Sequence, residues 1–193
     1  DKDISAAIGI EAWSSGPFVK IYNNTINRWL SVYLAPGSEV YNNRVEFIEG
    51  ERYIGIEIAD SKDLKIYNNF VKGASIGISV DTGIEDTVFE NNIVLNSSMF
   101  GIQVANCHLK SCRNISVRNN VVDDVSSGND GALKRGIFFN HGNISNSIIE
   151  SNIIKNTGGS AIYLYKTDNT IVKNNFIYCY NKYPSPPGAE NDI

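Results

Sequence analysis

The segment Ile66-Tyr67-Asn68-Asn69-Phe70-Val71 decides the fold, because its six-residue pattern occurs seven times along the chain. Each copy has an apolar residue, any residue, a polar pair that is Asn-Asn in six copies, any residue, and then Ile or Val. The second residue of the pair is asparagine in every copy, at positions 24, 43, 69, 92, 120, 152 and 175. Successive copies lie 19 to 32 residues apart. Recurrence at this spacing indicates stacked repeats.

A second pattern lies between these copies and consists of a small residue, an apolar residue, any residue and another apolar residue. It occurs as Gly9-Ile10-Glu11-Ala12, Ser31-Val32-Tyr33-Leu34, Gly55-Ile56-Glu57-Ile58, Gly77-Ile78-Ser79-Val80, Gly101-Ile102-Gln103-Val104, Gly136-Ile137-Phe138-Phe139 and Ala161-Ile162-Tyr163-Leu164. Both patterns alternate with period two, which predicts β-strands that bury one face.

Together the two patterns predict an all-β solenoid of about seven coils with three parallel strands each. Asparagine tolerates the left-handed backbone that a sharp corner between two strands needs. Corners stacked about 4.8 Å apart allow each asparagine amide to bond to the next, as a ladder. The residues before and after the corner supply two internal apolar stacks. The first stack is Ile21, Val40, Ile66, Phe89, Val117, Ile149 and Val172, and the second is Ile26, Val45, Val71, Val94, Val122, Ile154 and Ile177.

These repeats resemble those of the right-handed parallel β-helix proteins of the pectin-lyase-like superfamily, most closely the NosD-type repeats. The resemblance covers about residues 7–180. We expect one parallel β-helix over residues 1–180 and a tail or linker at 181–193, because the latter segment contains Pro184, Pro186 and Pro187 and breaks the repeat. Members of this superfamily include pectate lyases, polygalacturonases, alginate lyases, epimerases, phage tailspikes and surface adhesins. The fold alone therefore does not select a function.

Charge and composition exclude some classes of partner. The net charge of −4 argues against nucleic acid, which requires clustered Lys and Arg. No apolar run approaches the roughly 20 residues of a membrane span.

Because the repeat has begun by residue 7 without a capping helix, we expect further coils or another subunit at the N-terminal end. Cys107 and Cys112 are close enough to bridge a loop, although two unpaired thiols are an equal alternative.

Outward residues of the Gly-Ile-x-Ile strands form two predicted columns. The glycines and other small residues beside them are expected to leave room for a ligand to approach the sheet. The first column is Glu11, Tyr33, Glu57, Ser79, Gln103, Phe138 and Tyr163; the second is Trp13, Ala35, Ala59, Asp81, Ala105, Asn140 and Tyr165. Glu57 and Asp81 fall on neighbouring coils, on the order of 8 Å apart along the backbone. That spacing suits the acid and base of an inverting glycosidase, although two solvated surface acids are the competing interpretation.

A lyase would use other residues. His141 with Arg135 is a candidate pair for β-elimination, which needs a base and a cation. The alternative is that Lys134 and Arg135 cover a loop and that the histidines are surface residues. The loop from Asp123 to Arg135 is the longest and a candidate wall of the site. No cofactor is expected; calcium through Asp60, Asp81 or Asp130 lacks a supporting acidic cluster.

Two functions of different class are expected: the frequency of sugar chemistry in the resembled superfamily implies the first, and the missing catalytic motifs and short loops favour the second. The first is an extracellular or cell-surface module that binds or processes polysaccharide, as a lyase, hydrolase or epimerase if it is an enzyme. The alternative is a non-catalytic solenoid in a surface fibre, adhesin or phage tailspike. The candidate sugar-binding residues are Trp13, Tyr33, Gln103, Lys134, Asn140 and Tyr163. The motifs of polygalacturonases are missing: Asp123-Asp124 occurs, but on the third strand of its coil.

Overall fold

The chain winds into stacked coils whose strands pair in parallel with the coils before and after. The structure is a computed structural model, and it describes residues 8–47, 53–125, 134–140 and 142–178. Every strand pairing in these ranges is parallel, and the strands form three sheets with seven coils between them. The predicted fold class and number of coils are confirmed. No helix within the described ranges is long and apolar enough to cross a membrane.

Each sheet takes one strand position from every coil. Sheet A contains β1 (Ile8–Trp13), β4 (Trp29–Tyr33), β7 (Ile54–Ala59), β10 (Ile76–Asp81), β13 (Phe100–Ala105), β16 (Arg135–Phe139) and β20 (Ile162–Leu164). Sheet B contains β2 (Lys20–Tyr22), β5 (Glu39–Tyr41), β8 (Lys65–Tyr67), β11 (Glu85–Glu90), β14 (Cys112–Arg118), β17 (Ile144–Ser145), β18 (Ile148–Glu150), β21 (Thr167–Asp168) and β22 (Ile171–Lys173). Sheet C contains β3 (Thr25–Ile26), β6 (Arg44–Glu46), β9 (Phe70–Lys72), β12 (Ile93–Leu95), β15 (Val121–Val125), β19 (Ile153–Thr157) and β23 (Phe176–Tyr178).

At the asparagine corner between sheets B and C, the two residues of the Asn-Asn pair have different structural roles. The first residue takes the left-handed backbone, as at Asn68 with φ 54° and at Ser151 with φ 55°. The second residue forms the ladder. Asn92, for example, donates its amide to Asn120 Oδ1 at 2.9 Å and to the Ile66 carbonyl at 2.9 Å. The same amide-to-amide bond joins all seven predicted asparagines from Asn24 to Asn175.

The two predicted apolar stacks fill the interior of the first six coils. In those coils each stack residue is buried, and most have no exposed surface. In the seventh coil Val172 is 44% exposed and Ile177 49% exposed, because no described coil stacks on them. Burial of these residues therefore depends on the neighbouring coils rather than on the local sequence.

The glycine column of sheet A has a different role from the predicted one. It was expected to leave room for a ligand, but Gly55, Gly77, Gly101 and Gly136 are buried, and a Cβ on each would meet an inward side chain of sheet C. A Cβ on Gly77 would meet the Val94 side chain and lie 2.6 Å from the Gly101 carbonyl oxygen. The glycines therefore allow sheets C and A to pack closely at this corner.

The register of the second coil differs from the one that the repeat pattern predicted. Ser31, not Tyr33, pairs with Glu57, and Tyr33 pairs with Trp13 and Ala59. Ala35 lies beyond the strand and is fully buried. The copy of the Gly-Ile-x-Ile pattern in this coil is Trp29-Leu30-Ser31-Val32, which lacks the small residue that marks the others.

Truncation of an inward side chain in a middle coil will destabilise the protein strongly. Ile66→Ala or Val117→Ala is expected to lower the free energy of unfolding by about 2–4 kcal/mol, through lost burial and a cavity. Tyr41→Ala, on the outer face of the same sheet, is the control and should cost far less. Urea unfolding measures all three; equal losses would contradict the assignment of inside and outside.

Removal of one ladder asparagine will cost more in the middle than at the end. Asn92→Ala deletes a buried amide that bonds to the coils on both sides, whereas Asn24→Ala removes a half-buried amide at the first coil. Each buried polar group left without a partner costs about 1–3 kcal/mol. Thermal unfolding should therefore show a clearly larger loss for Asn92→Ala, and similar losses for the two variants would contradict the ladder as a source of stability.

Candidate functional site

The outward face of sheet A carries two rows of side chains that run along the solenoid axis. The first row is Glu11, Ser31, Glu57, Ser79, Gln103, Phe138 and Tyr163. The second row is Trp13, Tyr33, Ala59, Asp81 and Ala105. Strand pairing brings Tyr33, Glu57, Asp81 and Gln103 onto one surface over coils two to five, which is called the acidic face below.

Glu57 is the central group of the acidic face. Its side chain is half-buried in the middle of β7. Burial, and secondarily the charge of Asp81, raise the pKa of Glu57 from 4.5 to about 7. Desolvation disfavours the charged form of a carboxyl group, and a nearby like charge adds to that effect. Glu57 can therefore hold a proton at neutral pH and release it with little cost, as a general acid must.

Asp81 lies on the next coil and has a different environment. The amide of Asn106 donates a hydrogen bond to Asp81 Oδ1 at 2.5 Å. Glu57 pairs with Ser79, and Asp81 pairs with Ala59, so the two acids are offset by one rung and two residues. This offset puts their backbones on the order of 8 Å apart. The acid and base of an inverting glycosidase have carboxyl groups roughly 6.5–9.5 Å apart, and this backbone offset is compatible with that separation.

An aromatic pair lies beside the two acids. Trp13 stacks on Tyr33 with ring centroids 4.5 Å apart and ring planes within 6° of parallel. Trp13 is 59% exposed, so it presents a large apolar surface to solvent. Burial, followed by the charges of Asp60, Asp81 and Glu57, raises the pKa of Tyr33. The Tyr33 hydroxyl therefore lies within the electrostatic reach of the acids.

Three residues near the acidic face were not among the predicted sugar-binding or catalytic residues. Asp60 follows β7 and forms an ion pair with Lys110 Nζ at 2.8 Å. A Cβ on Gly83 would collide with Asp60 and approach Lys110 Cδ, so glycine makes room for this pair. Asn106, the third residue, follows β13. Asp60 and Asn106 both have positive φ, 46° and 57°, and this shared corner after sheet A is the signal that could have identified them.

The predicted site residues in coils six and seven pack against other parts of the protein. Arg135 is 5% exposed, with its guanidinium carbon 3.4 Å from the Tyr163 ring centroid and 4.9 Å from that of Phe138. Lys134 lies over Gly158 and Gly159 and is half-buried. Asn140 is half-buried, and its N–H donates to the Val104 carbonyl at 2.9 Å. These contacts favour a structural role for Arg135 over the predicted role in β-elimination.

Other predicted features lie partly outside the described residues. His141, Asp130 and residues 126–133 of the predicted wall are among them. In the part of the chain that the structure describes, no group of three or more His, Cys, Asp or Glu residues is arranged to hold a metal ion. Cys107 and Cys112 form a disulfide, which decides between the two alternatives that the sequence left open.

Comparison with known proteins supports the fold. The family model described as right handed beta helix region matches residues 8–177. Among solved structures, the crystal structure of alginate lyase from Paenibacillus sp. str. FPU-7 is similar, with a TM-score of 0.50 and 9% sequence identity. The alignment covers 82% of this chain and 76% of that chain, and at this identity it shows a shared fold only. No curated protein matches the sequence.

Titration of Glu57 will test the electrostatics of the acidic face. Carbon-detected NMR of the Glu57 carboxyl group should give a midpoint of about 7, against 4.5 for an ordinary glutamate. Asp81→Asn should lower the midpoint without restoring 4.5, because burial is the larger cause. A midpoint near 4.5 in the unmodified protein would contradict the half-buried position.

The raised pKa of Glu57 also predicts how stability depends on pH. In the unfolded chain Glu57 loses its proton near pH 4.5, whereas the folded chain keeps it until about pH 7. The folded state therefore loses stability as pH rises between these values. Glu57→Gln should remove this component from thermal melts at pH 4 to 8, and Glu11→Gln, an exposed acid in the same row, is the control.

Proposed function

The chain belongs to the right-handed β-helix family, and we propose that it is an extracellular glycan-processing module that hydrolyses a glycosidic bond on the acidic face. The observation that carries the proposal is the pairing of a half-buried Glu57, whose pKa is about 7, with Asp81 one coil away. The resemblance of the repeats to a superfamily that includes polysaccharide lyases and polygalacturonases supports it, and the solved structure that shares the fold is an alginate lyase.

The mechanism follows from the different environments of the two acids. Protonated Glu57 donates its proton to the glycosidic oxygen as the bond to the anomeric carbon breaks. Asp81 accepts a proton from a water molecule, whose oxygen attacks the opposite face of the sugar. Carboxyl groups that act in this way are roughly 6.5–9.5 Å apart and give inversion at the anomeric carbon. After release of the products, proton exchange with solvent restores both groups.

The aromatic pair supports binding of a chain rather than a single sugar. Sugars present apolar C–H faces, which pack on exposed aromatic rings such as Trp13. From Trp13 on coil one to Gln103 on coil five the rungs span about 19 Å, which is long enough for several sugar units. A glycan that lies along the axis would therefore contact the aromatic pair at one end and the two acids near its middle.

The disulfide supports the proposed location. Disulfides form and persist in oxidising compartments such as the cell exterior, and they are rare in the cytosol. The Cys107–Cys112 bond closes the loop that carries Lys110 and follows Asn106. It therefore stabilises the segment that holds two of the residues around the acids.

Amide substitutions will separate chemistry from binding. Glu57→Gln and Asp81→Asn should each lower hydrolysis by about 10²–10⁴-fold while glycan binding is retained, because the amides keep the shape but cannot transfer the proton. Release of reducing ends from a panel of polysaccharides measures the activity, and Glu11→Gln is the matched control. The rate of the unmodified protein should also fall above pH 7, as Glu57 loses its proton.

Two outcomes would overturn this proposal. Unchanged activity in both amide variants would move the chemistry away from the acidic face. Failure of every polysaccharide in the panel to bind or be cleaved at millimolar concentration of repeat units would favour the alternative function, a structural or adhesive solenoid.

A further inference from the structure

The charges around the two acids restrict the sugars that this site can accept. Tyr33 lies within the fields of Glu57, Asp60 and Asp81 together, with Lys110 as the cation of the same cluster. Lys110 is bound to Asp60 at 2.8 Å, so these two charges neutralise each other locally. Within this described cluster the charges of Asp81 and of the ionised fraction of Glu57 remain, so its net charge is negative.

The cations of coils six and seven do not compensate for this balance. Arg135 is buried against the rings of Tyr163 and Phe138, and Lys166 lies over the Tyr165 ring at 5.3 Å. These coils are at least two rungs from Asp81, or about 10 Å, which is close to the distance at which salt screens exposed charges.

We propose that the acidic face takes a glycan without carboxylate or sulfate groups, neutral or amino-bearing, and discriminates against polyuronates. This inference rests on the proposed function and assigns its substrate class. A uronate ring over β7 and β10 would place its carboxylate against Asp81 and Glu57, and like charges in a partly desolvated site repel strongly. The hydroxyl groups of a neutral sugar can instead donate hydrogen bonds to the same oxygens, which charged acceptors strengthen.

Substrate selection of this kind would differ from that of the similar alginate lyase. β-Elimination on a uronate requires positive charge at the developing enolate. Lys110, a described cation that follows the sheet A strand of coil five, is ion-paired with Asp60, whereas hydrolysis of a neutral sugar requires only the two acids. The acidic face therefore favours a neutral substrate over an anionic one.

Matched oligosaccharides will test this inference. Isothermal titration calorimetry would compare neutral gluco-tetrasaccharides with mannuronate and galacturonate tetrasaccharides, using non-hydrolysable thio-linked forms at pH 6 and pH 8. We expect at least tenfold tighter binding of a neutral chain, with a larger ratio at pH 8, where Glu57 is more fully ionised. Raising the salt concentration should improve binding of the uronates and leave neutral binding nearly unchanged. A chitosan tetrasaccharide at pH 6 tests whether glycans with amino groups are accepted, and it should bind at least as tightly as the neutral chain.

Charge variants locate the source of the discrimination. Asp81→Asn should narrow the ratio between neutral and uronate binding. Glu46→Gln, which removes the same charge from sheet C, should leave it unchanged. Uronates that bind as tightly as neutral chains, or an unchanged ratio in Asp81→Asn, would overturn this inference while the proposed function still stands. If no chain binds, the proposed function itself fails.

Discussion

The hydrogen-bonded column of asparagines is the constraint on which the rest of the structure depends. Each amide from Asn43 to Asn152 bonds to the coils before and after it, so the coils are held at one spacing and in one rotational phase. That fixed phase aligns the apolar stacks, without which no single coil could bury its residues. It also places Glu57 and Asp81 on adjacent rungs with an offset of two residues. The geometry of the candidate site is thus a consequence of the repeat.

Most of the fold could be predicted from the sequence because the signals are local and repeated. Each strand can be located from the corner asparagine and from the alternating apolar residues around it, such as Ile66 and Val71. The same signals identify the inward faces and the order of the coils. The repeat pattern was assigned wrongly in the second coil. Ser31 resembles the small residue of the pattern, but it occupies the outward position opposite Glu57. A single sequence offered no means to choose between two alignments that both alternate correctly.

The candidate site was less predictable because its properties depend on contacts between coils. Glu57 and Asp81 were identified from their positions, but the raised pKa of Glu57 arises from burial in the assembled sheet. The partnership of Asp60 with Lys110 joins residues 50 positions apart, and no repeat pattern connects them. Arg135 was predicted as a catalytic residue from its position, but its guanidinium packs against the rings of Phe138 and Tyr163.

The central claim is that two acids, spaced by the repeat, act on opposite faces of one sugar. The most direct measurement is time-resolved proton NMR of the anomeric signals during cleavage of a glycan, before the products equilibrate. Inversion of the anomeric configuration in the first-formed product is the result that the spacing of Glu57 and Asp81 predicts. Retention would contradict it, because retaining enzymes need their two carboxyl groups only about 5–5.5 Å apart.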